Sequence, residues 1–205
     1  MREHESTGEQ ATDTEWFRTA PVRGARRRQE PMGRHCSWRA GGVADRWFEP
    51  ADLADLVAFM QVLPADEPLL WLGLGSNLMV RDGGLRGTVI ATGRGLAQLA
   101  WRDERTLHAG CGVPCAKVAK AAAKAGHTGG EFLAGIPGTI GGALAMNAGA
   151  FGGEIWPMVV AVDTIDRRGT LHHRAAAEYS ASYRHLAGPV HEWFVAGELR
   201  FDADP

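Results

Sequence analysis

The run GLGSN, from Gly73 to Asn77, sets two glycines beside a hydroxyl and a carboxamide. Glycine lets a backbone fold tightly enough for successive amides to face one way, and Ser76 and Asn77 add side-chain donors, so the pattern suits a phosphate or pyrophosphate. A plain tight turn between strands gives the same pattern. It is not the dinucleotide fingerprint, since Gly73 and Gly75 are followed by Asn77 and Leu78 and no third glycine opens a helix. Nor is it a P-loop, which needs a Gly-Lys-Ser/Thr ending.

A second stretch, GEFLAGIPGTIGGALAMNAGAFGGEI from Gly130 to Ile155, carries charge only at Glu131 and Glu154. Within it, Gly135-Ile136-Pro137-Gly138-Thr139 makes a constrained turn, with Thr139 placed to cap a short helix through IGGALAMNAG. Gly141 and Gly142, early in that helix, each cost ~1 kcal/mol relative to alanine, so something needs their missing side chains. A large flat ligand lying on the backbone meets that need. Close packing of the helix on a strand meets it as well.

The elements that must hold these stretches are legible around them. ADLADLVAFMQVL places Leu53, Leu56, Val57, Met60 and Leu63 at helical spacing, closed by Pro64. The apolar runs on either side of GLGSN, PLLWL and NLMV, and then GTVIAT, read as buried strands, so Ser37 to Thr92 forms a small strand-helix-strand unit. Further on, LAQLAW and RTLHAGCG read as strands joined at Arg102 to Arg105, and Pro114 opens an alanine-rich helix stopped by Gly126. MVVAVDTIDRRGTLHHR is a hairpin turning at Arg168-Gly169, and WFVAGELRF is a last strand. The architecture expected is α+β in two lobes with the glycine loops facing inward.

Composition narrows the function classes. Glycine accounts for 27 of 205 residues, well above the usual share of about 7%, without the period or proline content of collagen. The net charge of −2 gives no basic field for nucleic acid or anionic membrane. No run reaches the roughly 18 apolar residues of a membrane helix. The first 30 residues lack the apolar core of an export signal, so a cytoplasmic chain is expected. Residues 1–34, with Arg26, Arg27 and Arg28, read as a solvated, disordered extension. The three cysteines cannot all pair, and Cys111 and Cys115 in CGVPC lack a second pair at zinc spacing, so free thiols and no metal are expected.

Taken together, GLGSNLMVRDGG, LAGIPGTIGGALAMNAGAFGGEI and YSASYRH, in this order and spacing, resemble the UDP-N-acetylenolpyruvoylglucosamine reductases, also called UDP-N-acetylmuramate dehydrogenases. The resemblance covers about Ser37 to Phe201. It implies the FAD-binding fold of the vanillyl-alcohol-oxidase type with two α/β subdomains, here placed at 35–94 and 95–205. It also implies that Gly73, Gly75, Ser76, Asn77 and Leu78 receive the FAD pyrophosphate. Gly135, Ile136, Pro137, Gly138, Gly141 and Gly142 would line the flavin, and Asn147 belongs to the same cofactor segment.

In that family NADPH is the reductant, and the UDP-sugar substrate of peptidoglycan synthesis receives the hydride at its enolpyruvyl group. Arg184 matches the catalytic arginine, and a guanidinium suits a carboxylate on which enolate charge develops. Tyr183 is a candidate substrate contact. The partners expected are therefore small molecules, with a monomeric protein, no nucleic acid and no membrane.

Family members carry a substrate-binding domain with a serine proton donor and a glutamate, and neither segment occurs in the 205 residues. The expectation is accordingly the FAD-holding portion of such a reductase. Two alternatives stand beside it. One is a degenerate, non-catalytic FAD-binding module. The other is a different FAD-linked oxidase of the superfamily, against which the lack of histidine in the Gly73 to Leu78 loop argues.

Overall fold

The computed structural model describes residues 15–203 of the chain. The first lobe consists of α1 (Glu15–Thr19), β1 (Ala25–Pro31), β2 (Val43–Glu49), α2 (Leu53–Gln61), β3 (Leu69–Leu72) and β4 (Leu85–Ala91). Its sheet has the order β1-β2-β4-β3, with β2 and β3 parallel to β4 and β1 antiparallel on the edge. The helical spacing read in the sequence produces α2, whose buried face is Leu56, Phe59 and Met60. Asp52 caps it by accepting from the Asp55 amide at 2.9 Å.

Residues 15–34 do not behave as the extension expected of them. Arg26 pairs opposite Phe48 and Arg28 opposite Arg46, making β1 the edge strand of the lobe. The Arg26 guanidinium donates to the carbonyls of Phe17, Arg18 and Ala20, closing the end of α1. The buried carboxylate of Asp55 accepts the amides of Arg23 and Gly24 at 2.6 and 2.8 Å. An edge strand bonded through its backbone needs no alternating apolar pattern, so composition alone concealed it. The expectation for residues 1–14 lies outside the described residues.

The second lobe runs through β5 (Leu99–Trp101), β6 (Thr106–Gly110), α3 (Cys115–Lys124), β7 (His127–Thr128), α4 (Ile140–Met146), β8 (Gly149–Ala150) and β9 (Gly153–Glu154). It continues with β10 (Val159–Asp166), β11 (Leu171–Ala175), β12 (Ser180–Ser182), β13 (His185–Ala187), β14 (Glu192–Arg200) and β15 (Asp202–Ala203). Five strands form an antiparallel sheet in the order β11-β10-β14-β6-β5. Two small hairpins, β8-β9 and β12-β13, stand off it.

The lobes share a core in which Phe48, Phe59 and Ile90 of the first meet Cys111, Ile165 and Val195 of the second. Trp71 and Trp193 stack across the same junction, ring centroids 5.5 Å apart. One expected element is absent: no strand follows the Gly73 turn directly, and the chain first re-enters a sheet at Leu85. Met79 is 69% exposed while Val80 is buried, so NLMV lies along the surface. Among the described residues no helix is long and apolar enough to cross a membrane.

Candidate functional site

The glycine loop from Gly73 to Leu78 leaves the end of β3 and is braced from behind. Gly75 takes a left-handed φ of +68°, and a side chain there would collide with the His35 carbonyl. Its own carbonyl accepts the Ser37 amide at 3.1 Å. The amides of Leu74, Gly75, Ser76, Asn77 and Leu78 find no acceptor among the described residues. A run of free backbone donors beside a hydroxyl and a carboxamide is a donor set for an anion.

The second glycine stretch folds against the first. Gly138 faces the Ser76 hydroxyl, and a side chain at Gly73 would run into Thr139 Oγ1. Thr139 begins α4, yet its side chain makes no capping bond, contrary to the expectation that it would. The residue is 2% exposed, and its hydroxyl has no hydrogen-bond partner among the described residues. A buried hydroxyl without a partner costs about 1–3 kcal/mol, so this one is suited to a ligand that supplies the partner.

The two loops enclose a cavity of about 750 Å³, within the size range of cofactor pockets. Gly73, Gly75, Ser76, Asn77 and Leu78 line one side of it. Gly135, Ile136, Pro137, Gly138, Gly142 and Asn147 line another, and Tyr183 and Arg184 reach in from the β12-β13 hairpin. Gly141 is not on the lining. A side chain there would meet Cys111 Cβ at 2.7 Å, so its bareness serves the packing of α4 on the strand end beneath. Gly142 has open space, with only Thr139 Oγ1 as near as 4.0 Å. The two explanations open from sequence therefore divide between adjacent glycines.

Asn147 ends α4 in a left-handed conformation, φ 41°, and is buried. Its amide nitrogen donates to Glu154 Oε2 at 2.8 Å and to the Ser182 carbonyl at 3.1 Å, while its oxygen accepts from the Trp156 amide at 3.3 Å. These bonds tie α4 to both small hairpins, so the side chain shapes the cavity walls through protein contacts. Arg184, also left-handed at φ 52°, donates from Nη2 to Asn77 Oδ1 at 3.2 Å. It is the only cation on the described lining, and Glu154 the only carboxylate. Tyr183, 83% exposed, stands at the mouth.

The sequence reading did not single out Glu154, the orphan hydroxyl of Thr139, or the brace from His35 to Ser37. Each depends on contacts between distant segments, and only the Gly-Gly-Glu run hinted at the first. Cys111 and Cys115 are buried free thiols, both pushed up to about 12 by burial. Among the described residues no group of three or more His, Cys, Asp and Glu is placed to hold a metal ion.

This geometry has known counterparts. The UDP-N-acetylenolpyruvoylglucosamine reductase of Alkalilimnicola ehrlichii is 56% identical over 182 residues, covering 89% of this chain and 60% of the relative. That of Methylococcus capsulatus is 54% identical, covering 88% of this chain and 59% of the relative. The chain thus spans about 60% of the length of the curated relatives it matches. The crystal structure of UDP-N-acetylenolpyruvylglucosamine reductase from Thermus caldophilus superposes with a TM-score of 0.74 at 28% identity, covering 90% of this chain and 64% of that one. Cholesterol oxidase from Brevibacterium sterolicum shares the fold at a TM-score of 0.63 and 14% identity, over 90% of this chain and 39% of its own. The profile of the FAD binding domain matches residues 44–174, which contain both glycine loops, and the chain belongs to the FAD-binding domain family.

Proposed function

We propose that the chain is the FAD-holding part of a UDP-N-acetylenolpyruvoylglucosamine reductase. The observation that carries this reading is the meeting of the two glycine loops around one cavity with the Arg184 guanidinium at its edge, bonded to Asn77. Bound there, FAD would supply hydride transfer from NADPH to the enolpyruvyl double bond of a UDP-sugar. The free amides from Leu74 to Leu78, with Ser76 and Asn77, would hold its phosphates. Thr139 Oγ1 would gain its missing partner, and the open face of Gly142 would let the ligand lie against α4.

Arg184 would bind the substrate carboxylate. As the double bond is reduced, negative charge grows on that carboxylate, and a cation already in place stabilises the transition state more than the ground state. A guanidinium keeps its proton throughout and offers a two-pronged contact.

The test is an anaerobic titration of the FAD-reconstituted chain with NADPH and then UDP-N-acetylglucosamine enolpyruvate, followed by flavin absorbance. Bleaching by NADPH and recovery with the sugar nucleotide support the reading. Failure to retain FAD overturns it, and a reduced flavin that ignores the sugar nucleotide limits this chain to holding the cofactor.

A further inference from the structure

The β12-β13 hairpin carries Arg184 at its tip, yet it has little of its own to hold that tip in place. It is two three-residue strands, Ser180–Ser182 and His185–Ala187, joined by Tyr183-Arg184 and largely exposed. A two-stranded hairpin is at best marginally stable alone. Leu186 and neighbouring Tyr179 pack its base against the second-lobe core. Toward the tip, the polar ties among the described residues are two: Asn147 to the Ser182 carbonyl at 3.1 Å, and Arg184 to Asn77 at 3.2 Å.

The Asn77 tie has a chemical direction. A guanidinium only donates, so Asn77 must turn its carboxamide oxygen to Arg184, and its NH2 group is left for another acceptor. Asn77 lies within the run of unpaired amides and lines the same cavity. We propose that Asn77 is a positioning residue that couples the two: an anion on the Gly73 to Leu78 loop fixes the carboxamide, and the fixed oxygen holds the Arg184 hairpin over the cavity. This rests on the FAD reading above and extends it, since cofactor occupancy then sets the placement of the substrate-binding arginine. By linkage, ordering of the hairpin tightens FAD in return.

The test uses the full chain, apo and FAD-loaded, with FAD affinity read from quenching of flavin fluorescence and ordering from amide hydrogen exchange. In wild type, FAD slows exchange in peptides covering 73–78 and also those covering 180–187, the latter by about tenfold, as for a typical coupling between sites. In Asn77→Ala, FAD binds more weakly but at saturation still protects 73–78, while exchange over 180–187 no longer responds. Asn77→Asp separates a coupling from a structural role. Its carboxylate attracts Arg184 but repels phosphate, so 180–187 is protected without FAD and FAD affinity falls further than in Asn77→Ala.

Equal FAD protection of 180–187 in wild type and Asn77→Ala overturns the inference and leaves the FAD reading standing. So does an Asn77→Asp hairpin as labile as wild type without FAD. A wild-type chain that does not retain FAD overturns both readings together.

Discussion

Nη2 of Arg184 lies 3.2 Å from Oδ1 of Asn77, joining positions 107 apart in the sequence. The contact brings the one cation of the described lining to the loop with free amides. Arg184→Lys keeps the charge and loses the planar fork. We expect oxidation of the reduced flavin by the enolpyruvyl sugar nucleotide to slow by about 10²-fold, the scale of losing one preorganised donor to a developing oxyanion. Stopped-flow absorbance resolves this step from reduction by NADPH, which should suffer less. Equal loss in both steps would place Arg184 outside the substrate site.

Adjacent glycines in α4 should respond in opposite ways. Gly142→Ala adds a methyl group to open cavity space and improves helix propensity by ~1 kcal/mol, so the empty chain should melt at a higher temperature. The same methyl group occupies ligand space and should weaken FAD binding by about tenfold, ~1.4 kcal/mol. Gly141→Ala drives a methyl group into Cys111 and should destabilise the empty chain by about 1–3 kcal/mol. Calorimetry with and without FAD checks the pair. The assignment is wrong if Gly141→Ala is the better-tolerated change in the empty chain.

Thr139→Val removes a buried hydroxyl that has no hydrogen-bond partner among the described residues. Deleting such a group relieves a desolvation penalty, so the empty chain should be equally stable or gain up to about 1 kcal/mol. The FAD-loaded chain should lose about five- to tenfold in affinity, one neutral hydrogen bond's worth. Fluorescence titration with urea unfolding of the empty chain measures both. Loss of stability in the empty chain would mean that the hydroxyl already serves the fold.

Much of this architecture follows from local signals. Helical spacing gives α2, the proline opening and glycine stop give α3, and Gly169 at φ 80° turns the β10-β11 hairpin where the sequence suggested. The glycine loops stand out because their composition is unusual for soluble protein. What stays hidden is what depends on distance. β1 is an edge strand held by Asp55 and by backbone pairing, so its arginines resemble a solvated tail. NLMV is apolar yet lies along the surface beside the cavity, where alternation says nothing about burial. Gly141 and Gly142 are identical in sequence terms, and only Cys111 beneath one of them distinguishes their roles.

Glu192 links three strands of the second sheet, and its charge should make the fold acid-sensitive. Arg174 holds it through two contacts, 2.6 and 3.2 Å, and the Thr164 hydroxyl donates to it at 2.5 Å. The Arg174 hydrogen bond is the main cause that keeps the Glu192 carboxyl below its ordinary range, against the opposing effect of burial. A carboxyl depressed in the folded state binds its proton less readily there than in the unfolded chain. Its contribution is therefore fully present above the ordinary glutamate value of about 4.3 and is lost as pH falls through the lower folded value. Glu192→Gln removes the charge at every pH. We expect it to cost about 1–2 kcal/mol at pH 7, the scale of a hydrogen-bonded, partly exposed ion pair. That difference from wild type should hold to about pH 5 and shrink below about 4.3 as the wild-type carboxyl takes up its proton. Urea unfolding of both chains at pH 7, 5 and 3 decides it, and a gap that stays constant or widens in acid removes Glu192 as the group responsible.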